Sequence, residues 1–126
     1  MVTDVAATVL RVGCPMWGHP SWVDRFVSSP ARGRQLAEYA SWCNAVEGNT
    51  TFYAVPATET VERWQALAPP AFRFAFKVPK VVTHDRRLRH ADAELAGFLS
   101  AIEPLGERVG PIQIQLPPSF GPESLP

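Results

Sequence analysis

Residues 72–78 have the sequence FRFAFKV, in which three phenylalanines alternate with Arg73, Ala75 and Lys77. A run so dense in aromatic side chains is typical of a strand whose sheet is covered on both faces. Pro79 follows the run, and because a proline cannot donate to a strand ladder the strand is predicted to end there. The stretch therefore predicts a buried strand with Lys77 at its carboxyl end.

Strands and helices alternate on both sides of this run. Short β-favouring runs and stretches with apolar residues at helical spacing predict strands at 9–14, 45–49 and 111–116 and helices at 33–42, 58–68 and 92–102. Residues 50–56 are predicted to form a polar, aromatic loop. Thr58 is predicted to cap the second helix, and Asp92 or Ala91 to begin the third. Such alternation predicts an α/β fold with a parallel sheet and helices outside it.

The composition indicates one globular domain, residues 1–126. The chain carries 12 Lys+Arg against 12 Asp+Glu, so its net charge is zero and nucleic-acid binding is not indicated by charge. With 46% hydrophobic residues it can bury a sizeable core. No apolar run approaches the roughly 20 residues of a membrane helix. Residues 1–13 lack the features of a secretion signal. We therefore expect no membrane association and a cytoplasmic location.

Three segments carry a family resemblance: VEGNTTFYAVP at 46–56, FRFAFKVPKVVTH at 72–84 and GPIQIQLPPSF at 110–120. In their order and spacing they resemble the YecE-like domain-of-unknown-function family, over about residues 12–120. The resemblance implies a TIM-type (β/α) barrel whose complete domain is about twice this length, near the roughly 250 residues of a barrel. The expected fold is thus α/β, the first half of a parallel TIM-barrel-like fold with about four strands and three helices.

Half a barrel leaves edge strands and an apolar sheet face uncovered. We expect the chain to be truncated, ending in the loop after the fourth predicted strand. The alternative is that a second half-barrel, or self-association, closes the ring. In either case the missing half would contribute residues to the site.

The first predicted strand departs from the family pattern. The family often has a G-x-S-G-W turn there, whereas residues 13–18 read GCPMWG. Gly13 and Trp17 persist, but a serine-type hydroxyl does not. No role that rests on that hydroxyl is carried over.

The candidate catalytic residues follow from the barrel geometry, since the loops that carry barrel active sites follow the carboxyl ends of the strands. Glu47 is a candidate general acid or base, or a metal ligand. Its structural alternative is an ion pair with Lys77 that ties two strands together. Lys77 is a candidate clamp for an anion or carbonyl, a Schiff-base nucleophile, or simply the partner of Glu47. His84 is a candidate proton shuttle or lone metal ligand, or else a loop anchor.

Two polar residues are candidates for substrate binding. Asn49 can orient a substrate oxygen, or hold its own loop as an Asx turn. Alternation places Gln115 on the same side as Gln113, and if that side is the barrel interior Gln115 can donate to and accept from a ligand.

Three aromatic residues complete the substrate-binding candidates. Trp17, Phe52 and Tyr53 could form a stacking platform for a sugar or base, although core packing is the more common use of such residues. Cys14 is read as a small buried residue rather than a nucleophile, because no histidine partner stands at a motif-like spacing. No metal site is predicted, and the cofactor is unknown.

The function hypotheses fall into different classes. The first is a hydrolase or lyase for a small polar or phosphorylated compound, with Glu47 as acid or base and with Lys77 and Asn49 holding an anionic oxygen. The alternatives are a non-catalytic ligand-binding module, a metal-dependent nuclease-like barrel by fold analogy alone, and an inactive fragment. Whether the chain is an enzyme is left open by the sequence.

Overall fold

A parallel sheet forms the centre of the fold. The computed structural model describes residues 9–28 and 33–125. Within these ranges strand β1 spans Ala45–Gly48, β2 spans Arg73–Lys77 and β3 spans Val109–Gln113. β2 lies in the middle and pairs in parallel with both neighbours. The prediction of an α/β fold with a parallel sheet is confirmed.

Helices connect the strands. In the described residues the α-helices are α1 at Gln35–Tyr39, α2 at Thr50–Tyr53, α3 at Thr58–Leu67 and α4 at Asp92–Ile102. α1, α3 and α4 lie within predicted helices, whereas α2 stands where a loop was predicted. Thr58 is the first residue of α3 rather than its cap, because Ala57 holds the cap position. Asp92 begins α4, as predicted.

Shorter helical turns occupy several loops. They are a π-helix at Val81–Asp85 and 3-10 helices at Pro20–Trp22, Glu103–Arg108 and Pro122–Ser124. Turns this short do not register as apolar periodicity, so the sequence pattern does not indicate them. Within the described ranges, no helix has the length and apolar character needed to cross a membrane. The residues considered for a secretion signal lie partly outside the described ones.

The first predicted strand, residues 9–14, is not a strand. It lies beside β1. The carbonyl of Val12 accepts a hydrogen bond from the backbone N–H of Asn44 (3.3 Å), and the carbonyl of Cys14 accepts one from the backbone N–H of Glu47 in β1 (3.0 Å). The N–H groups of the same two residues donate to side chains instead, Val12 to Asn44 Oδ1 (2.7 Å) and Cys14 to the Tyr39 hydroxyl (2.6 Å). A strand ladder needs backbone donors as well as backbone acceptors. The prediction of four strands is therefore wrong for the described residues, which form three.

β3 joins β2 with an irregular register. Gly110 and Pro111 together lie opposite Ala75 of β2. Proline has no N–H for the ladder, and a bulge accommodates it. β3 consequently begins at Val109 rather than at the predicted Pro111, and it ends at Gln113.

The side of the sheet that faces α3 forms the core. Phe74 and Phe76 are fully buried, and their rings stack on that of Trp64 at centroid distances of 5.9 and 5.7 Å. Alternation along β2 places Ala75 and Lys77 on the opposite face, where they are half-buried. Polar side chains at the strand ends therefore project from the opposite, less covered face.

Candidate functional site

Glu47 and Lys77 meet at the carboxyl ends of β1 and β2. Glu47 lies beside Ala75 in the parallel register, so Glu47 and Lys77 project from the same face. Lys77 Nζ lies 3.0 Å from Glu47 Oε1, and the two side chains are 18% and 32% exposed. The ion pair between Glu47 and Lys77, which the sequence suggested as a structural link between two strands, is therefore present. A lysine side chain that already holds a carboxylate oxygen at this distance has the geometry of a clamp for an anionic oxygen.

Thr51 fixes the backbone around this ion pair. Its side chain is fully buried, and its hydroxyl lies 2.7 Å from the carbonyl oxygen of Lys77 and 3.1 Å from that of Gly48. One threonine of α2 thus links the ends of β1 and β2. Sequence reasoning missed Thr51. The signal it carries is a hydroxyl residue shortly after a strand, where such side chains bond to nearby backbone carbonyls.

Asn49 lies one residue beyond β1 and has only half of its amide engaged. Its Nδ2 donates to the carbonyl oxygen of Pro15 at 2.8 Å. Because a carbonyl only accepts, this contact fixes which end of the amide is nitrogen. The other end, Oδ1, is buried and has no hydrogen-bond partner among the described residues. An unpaired buried acceptor is rare in native structures and calls for a functional or structural reason.

A larger cavity of about 470 Å³ opens beside Glu47 and Asn49. This volume falls within the range of small-molecule sites, roughly 300–1,000 Å³. The loop after the first predicted strand supplies one wall, β1 and α2 another, and the lining residues are Pro15, Met16, Trp17, Gly18, Gln35, Glu47, Asn49 and Thr50. The wall thus combines apolar side chains with a carboxylate and two amides.

A smaller cavity of about 280 Å³ lies beside Lys77. It is lined by Asn49, Phe52, Tyr53, Lys77 and Gln115, so four of the predicted substrate-binding residues do meet at this place. Gln115 lies beyond the end of β3, as the strand bounds require. Asn49 lines both cavities, and the Glu47–Lys77 ion pair joins their walls.

The three predicted stacking residues are divided between the cavities. Trp17 lines the larger one and meets Trp64 edge-on, with ring centroids 5.6 Å apart. Phe52 and Tyr53 line the smaller one, where their rings are 5.2 Å apart and nearly perpendicular. The structure therefore does not place these three residues in one platform.

His84 lies in the π-helix and outside the residues that line either cavity. One ring nitrogen, Nδ1, is 2.8 Å from the hydroxyl of Thr83, which is fully buried. The imidazole also meets the ring of Phe52 at 5.2 Å, nearly perpendicular to it. These contacts are of the kind expected for a loop anchor, and the contact with Phe52 joins His84 to a residue that lines the smaller cavity.

Arg87 anchors the segment that follows Gln115. Its guanidinium donates to the Ser119 hydroxyl (3.0 Å), the Ser119 carbonyl (2.9 Å) and the Ser124 hydroxyl (2.7 Å). It also lies 5.4 Å from the centre of the Phe120 ring. Arg87 thus holds the segment after β3, together with Arg89, which donates to the carbonyl oxygen of Ser124 at 3.2 Å. Sequence reasoning missed this role because no local pattern joins these positions.

Cys14 is half-buried and its N–H is held by the hydroxyl of Tyr39 at 2.6 Å. That hydroxyl in turn donates to the carbonyl of Ala45 at 2.8 Å. Burial raises the pKa of the Tyr39 phenol above its ordinary value, and a neighbouring hydrogen bond and thiols modify it further. The phenol therefore stays protonated and serves as a structural bridge.

Among the described residues no cluster of three or more His, Cys, Asp or Glu side chains could hold a metal ion.

Comparisons with known proteins agree on one family. Residues 11–125 match the family model described as Protein of unknown function DUF72. Over 118 residues the chain is 43% identical to UPF0759 protein YecE of Escherichia coli strain K12, and to that of Escherichia coli O157:H7. The match covers 94% of this chain and 41% of each relative, so the chain spans about two fifths of the length of these relatives.

Solved structures show the same likeness. One crystal structure of a DUF72 family protein from Enterococcus faecalis V583, at 3.10 Å resolution, superposes with a TM-score of 0.68 and 27% identity, covering 90% of this chain and 42% of that one. A second, at 2.52 Å resolution, gives a TM-score of 0.62 over 88% of this chain and 41% of that one.

Proposed function

The chain belongs to the DUF72 family, and on that premise we propose that it forms the amino-terminal part of a TIM-type (β/α) barrel enzyme. The resemblance drawn from three sequence motifs is confirmed as to family. The activity we propose is that of a hydrolase or lyase for a small polar or phosphorylated compound. Further strands, from a longer chain or from a second copy of this chain, would close the barrel. The proposed location of the protein is the cytoplasm.

Support for the barrel comes from the placement of polar residues. In barrels of parallel strands the reactive groups lie at the carboxyl ends, where the loops after each strand converge. Glu47, Asn49, Lys77 and Gln115 all stand at or beyond a strand's carboxyl end. The sheet face that carries Glu47 and Lys77 is the one turned away from α3, as in a barrel interior.

The Glu47–Lys77 ion pair is the observation that carries the proposed activity. It sits at the junction of two cavities, and its Nζ to Oε1 distance is 3.0 Å. An anionic oxygen of the substrate that binds Lys77 replaces Glu47 as the partner of the ammonium. The carboxylate is thereby released to take a proton from a neighbouring atom of the substrate or from water, and the carboxylic acid so formed can return it to the leaving group. Lys77 then stabilises the negative charge that remains on the oxygen.

For Asn49 we propose a narrower role than the one first considered. Its nitrogen is occupied by Pro15, while its oxygen has no partner. Asn49 is therefore proposed to accept a hydrogen bond from the substrate, rather than to donate one to an anionic oxygen.

Glu47→Gln tests the activity. The purified protein is incubated with a panel of small phosphate esters and glycosides, and conversion is followed by proton and phosphorus NMR. We expect turnover of at least one compound by the unmodified protein, and a fall of about 100-fold or more in Glu47→Gln, the usual size of an acid–base contribution. Glu62→Gln, an exposed change on α3, is the matched control and should leave turnover unchanged.

Two outcomes would contradict this proposal. Equal turnover by the unmodified protein and Glu47→Gln would remove Glu47 as the acid or base. Ligand binding without turnover in the unmodified protein, retained in Glu47→Gln, would instead favour the non-catalytic binding module.

A further inference from the structure

Two asparagines make the same long-range hydrogen bond, and their difference points to a ligand. Asn44, just before β1, and Asn49, just after it, each donate from Nδ2 to a carbonyl 34 residues earlier, at 2.8 Å in both cases. Asn44 Oδ1 also accepts from the N–H of Val12 at 2.7 Å. Asn44 thus uses both ends of its amide to hold the chain, whereas Asn49 uses one.

The unused end of Asn49 calls for a hydrogen-bond donor. Holding the Pro15 carbonyl requires only the nitrogen, so the loop contact does not account for the oxygen. A buried acceptor without a partner destabilises the protein, and this destabilisation is relieved when a donor arrives. The neighbouring carboxylate of Glu47 engages the ammonium through Oε1. Its second oxygen is a further acceptor. The larger cavity therefore presents acceptors to its occupant.

The smaller cavity has the opposite chemistry. Lys77 supplies an ammonium, and Gln115 and Tyr53 supply groups that can donate to an oxygen. Lysine binds phosphate as a point charge and needs no fixed approach angle. This cavity therefore suits an anionic group, such as a phosphate or a carboxylate.

Resting on the proposed function, we propose that the substrate carries a hydroxyl group close to an anionic group, with the hydroxyl on Asn49 Oδ1 and the anion on Lys77. Asn49 lines both cavities, so the two groups of the ligand must be near neighbours. The apolar wall formed by Met16 and Trp17 contacts the carbon skeleton. Phosphorylated or carboxylated polyhydroxy compounds have this pattern.

The Asn49 oxygen is buried, so the proposal requires a neighbouring side chain to move when the ligand binds. Met16 and Gln35 are unbranched, flexible side chains in the wall of the larger cavity. A methyl group at Gly18 would meet the side-chain oxygen of Gln35. Gly18→Ala therefore restricts Gln35 without touching Asn49.

Binding is measured with four defined probes, titrated into the intact protein and followed by NMR. They are glycerol 3-phosphate, glycerate, glycerol and inorganic phosphate. The indole signal of Trp17 reports occupancy of the larger cavity. We expect glycerol 3-phosphate or glycerate to bind about tenfold tighter than both glycerol and phosphate, because only these compounds fill both cavities. Their relative affinities identify phosphate or carboxylate as the anion.

Variants assign each half of the ligand. Asn49→Leu should weaken glycerol 3-phosphate about tenfold, to the level of inorganic phosphate, and leave phosphate itself unchanged. Asn44→Leu, which breaks the equivalent bond at the other end of β1, should change neither affinity. Lys77→Met should weaken all three anionic probes and spare glycerol, while Lys80→Met, an exposed change nearby, should have no effect.

The outcomes are separate from those of the turnover experiment. If glycerol 3-phosphate and glycerate bind no tighter than phosphate, or if Asn49→Leu weakens all probes equally, the inference is wrong. If Asn49→Leu does not fold, Gly18→Ala replaces it and should weaken glycerol 3-phosphate but not phosphate; no change there also overturns the inference. Tight binding without turnover would refute the enzyme and leave the ligand class standing.

Discussion

Each end of β1 carries an asparagine that hydrogen-bonds to an earlier segment of the chain, but only one of the two asparagines has both ends of its amide paired. At the amino end Asn44 satisfies the backbone of Leu10 and Val12 with both ends of its amide. At the carboxyl end Asn49 satisfies Pro15 alone and leaves a buried oxygen unpaired. At the amino end the side-chain amide is fully hydrogen-bonded within the protein, whereas at the carboxyl end an amide oxygen remains that could bind another molecule.

The difference extends to the neighbours of each asparagine. Near the amino end, the Tyr39 hydroxyl joins Cys14 to Ala45 with two short hydrogen bonds. Near the carboxyl end, Glu47 and Lys77 pair beside open cavities while remaining partly exposed. The proposed barrel would have such a division, because in parallel barrels one end of the strands serves stability and the other serves chemistry. Substitutions at the two ends of β1 measure whether this division holds.

Gly13→Ala should have the largest effect, because it breaks the amino end directly. A methyl group at Gly13 would overlap the carbonyl of Ala45 and lie 2.8 Å from the Tyr39 hydroxyl oxygen. We expect the free energy of unfolding in urea to fall by about 3 kcal/mol or more, as for severe overpacking. Gly97→Ala is the control: it has no neighbour within 4 Å, and in helix α4 it should stabilise by about 0.5–1 kcal/mol. An unfolding midpoint unchanged by Gly13→Ala would refute the close approach.

Tyr39→Phe should come next, with a loss of about 2 kcal/mol at neutral pH, because the Cys14 N–H and the Ala45 carbonyl both lose their partner. The unmodified protein should also lose stability as the pH rises above 10.0, the ordinary tyrosine pKa. There the unfolded chain releases the proton that the folded protein retains, which favours unfolding.

Urea unfolding between about pH 7 and pH 11 checks this prediction, since tyrosine ordinarily titrates near pH 10. The alkaline loss due to Tyr39 should be absent in Tyr39→Phe. The chain has two tyrosines, so in Tyr53→Phe the remaining tyrosinate absorbance comes from Tyr39 and should appear above pH 10. If it appears at or below that pH, the phenol is not shielded as the structure shows.

Asn44→Leu and Asn49→Leu compare the two ends directly. Asn44→Leu removes two hydrogen bonds, so at about 1 kcal/mol each it should destabilise by about 2 kcal/mol. Asn49→Leu removes one bond but also removes an unpaired acceptor, so its effect should be about 1 kcal/mol or less. Thermal unfolding of the two variants measures the difference. Equal losses would mean that Asn49 Oδ1 has a partner.

Glu47→Gln should have the smallest effect on stability, about 0.5 kcal/mol, because partly exposed ion pairs contribute little. A double-mutant cycle with Lys77→Met isolates the coupling between the two residues. A coupling above about 2 kcal/mol, toward the upper end of the range for residues in contact, would show that the pair is structural and weaken the case for the site.

Residue type and spacing were enough to predict much of this fold. The aromatic run of β2, the helices α3 and α4 and the parallel order follow from periodicity and breakers. The failure at residues 9–14 has a physical cause: their composition is β-favouring, but the donors of Val12 and Cys14 are taken by side chains from distant positions. Composition does not show which partner a backbone N–H will take.

The sequence predicted individual residues of the candidate site, but it did not predict how these residues are arranged around one another. Glu47, Asn49, Lys77 and Gln115 were predicted because they lie at or just beyond strand ends, a property of the sequence order, and their role in a site stays a prediction. Thr51 and Arg87 were missed because their partners lie 26 and 32 residues away in the chain.

The sequence by itself determined the family, the order of the three strands and of helices α1, α3 and α4, and the set of polar residues at the strand ends, because these depend on local pattern. Tertiary structure alone decided that Asn44 is fully paired and Asn49 is not, and that the predicted aromatic platform is split between cavities. These features depend on contacts between distant segments, whose geometry is set by packing of the whole core.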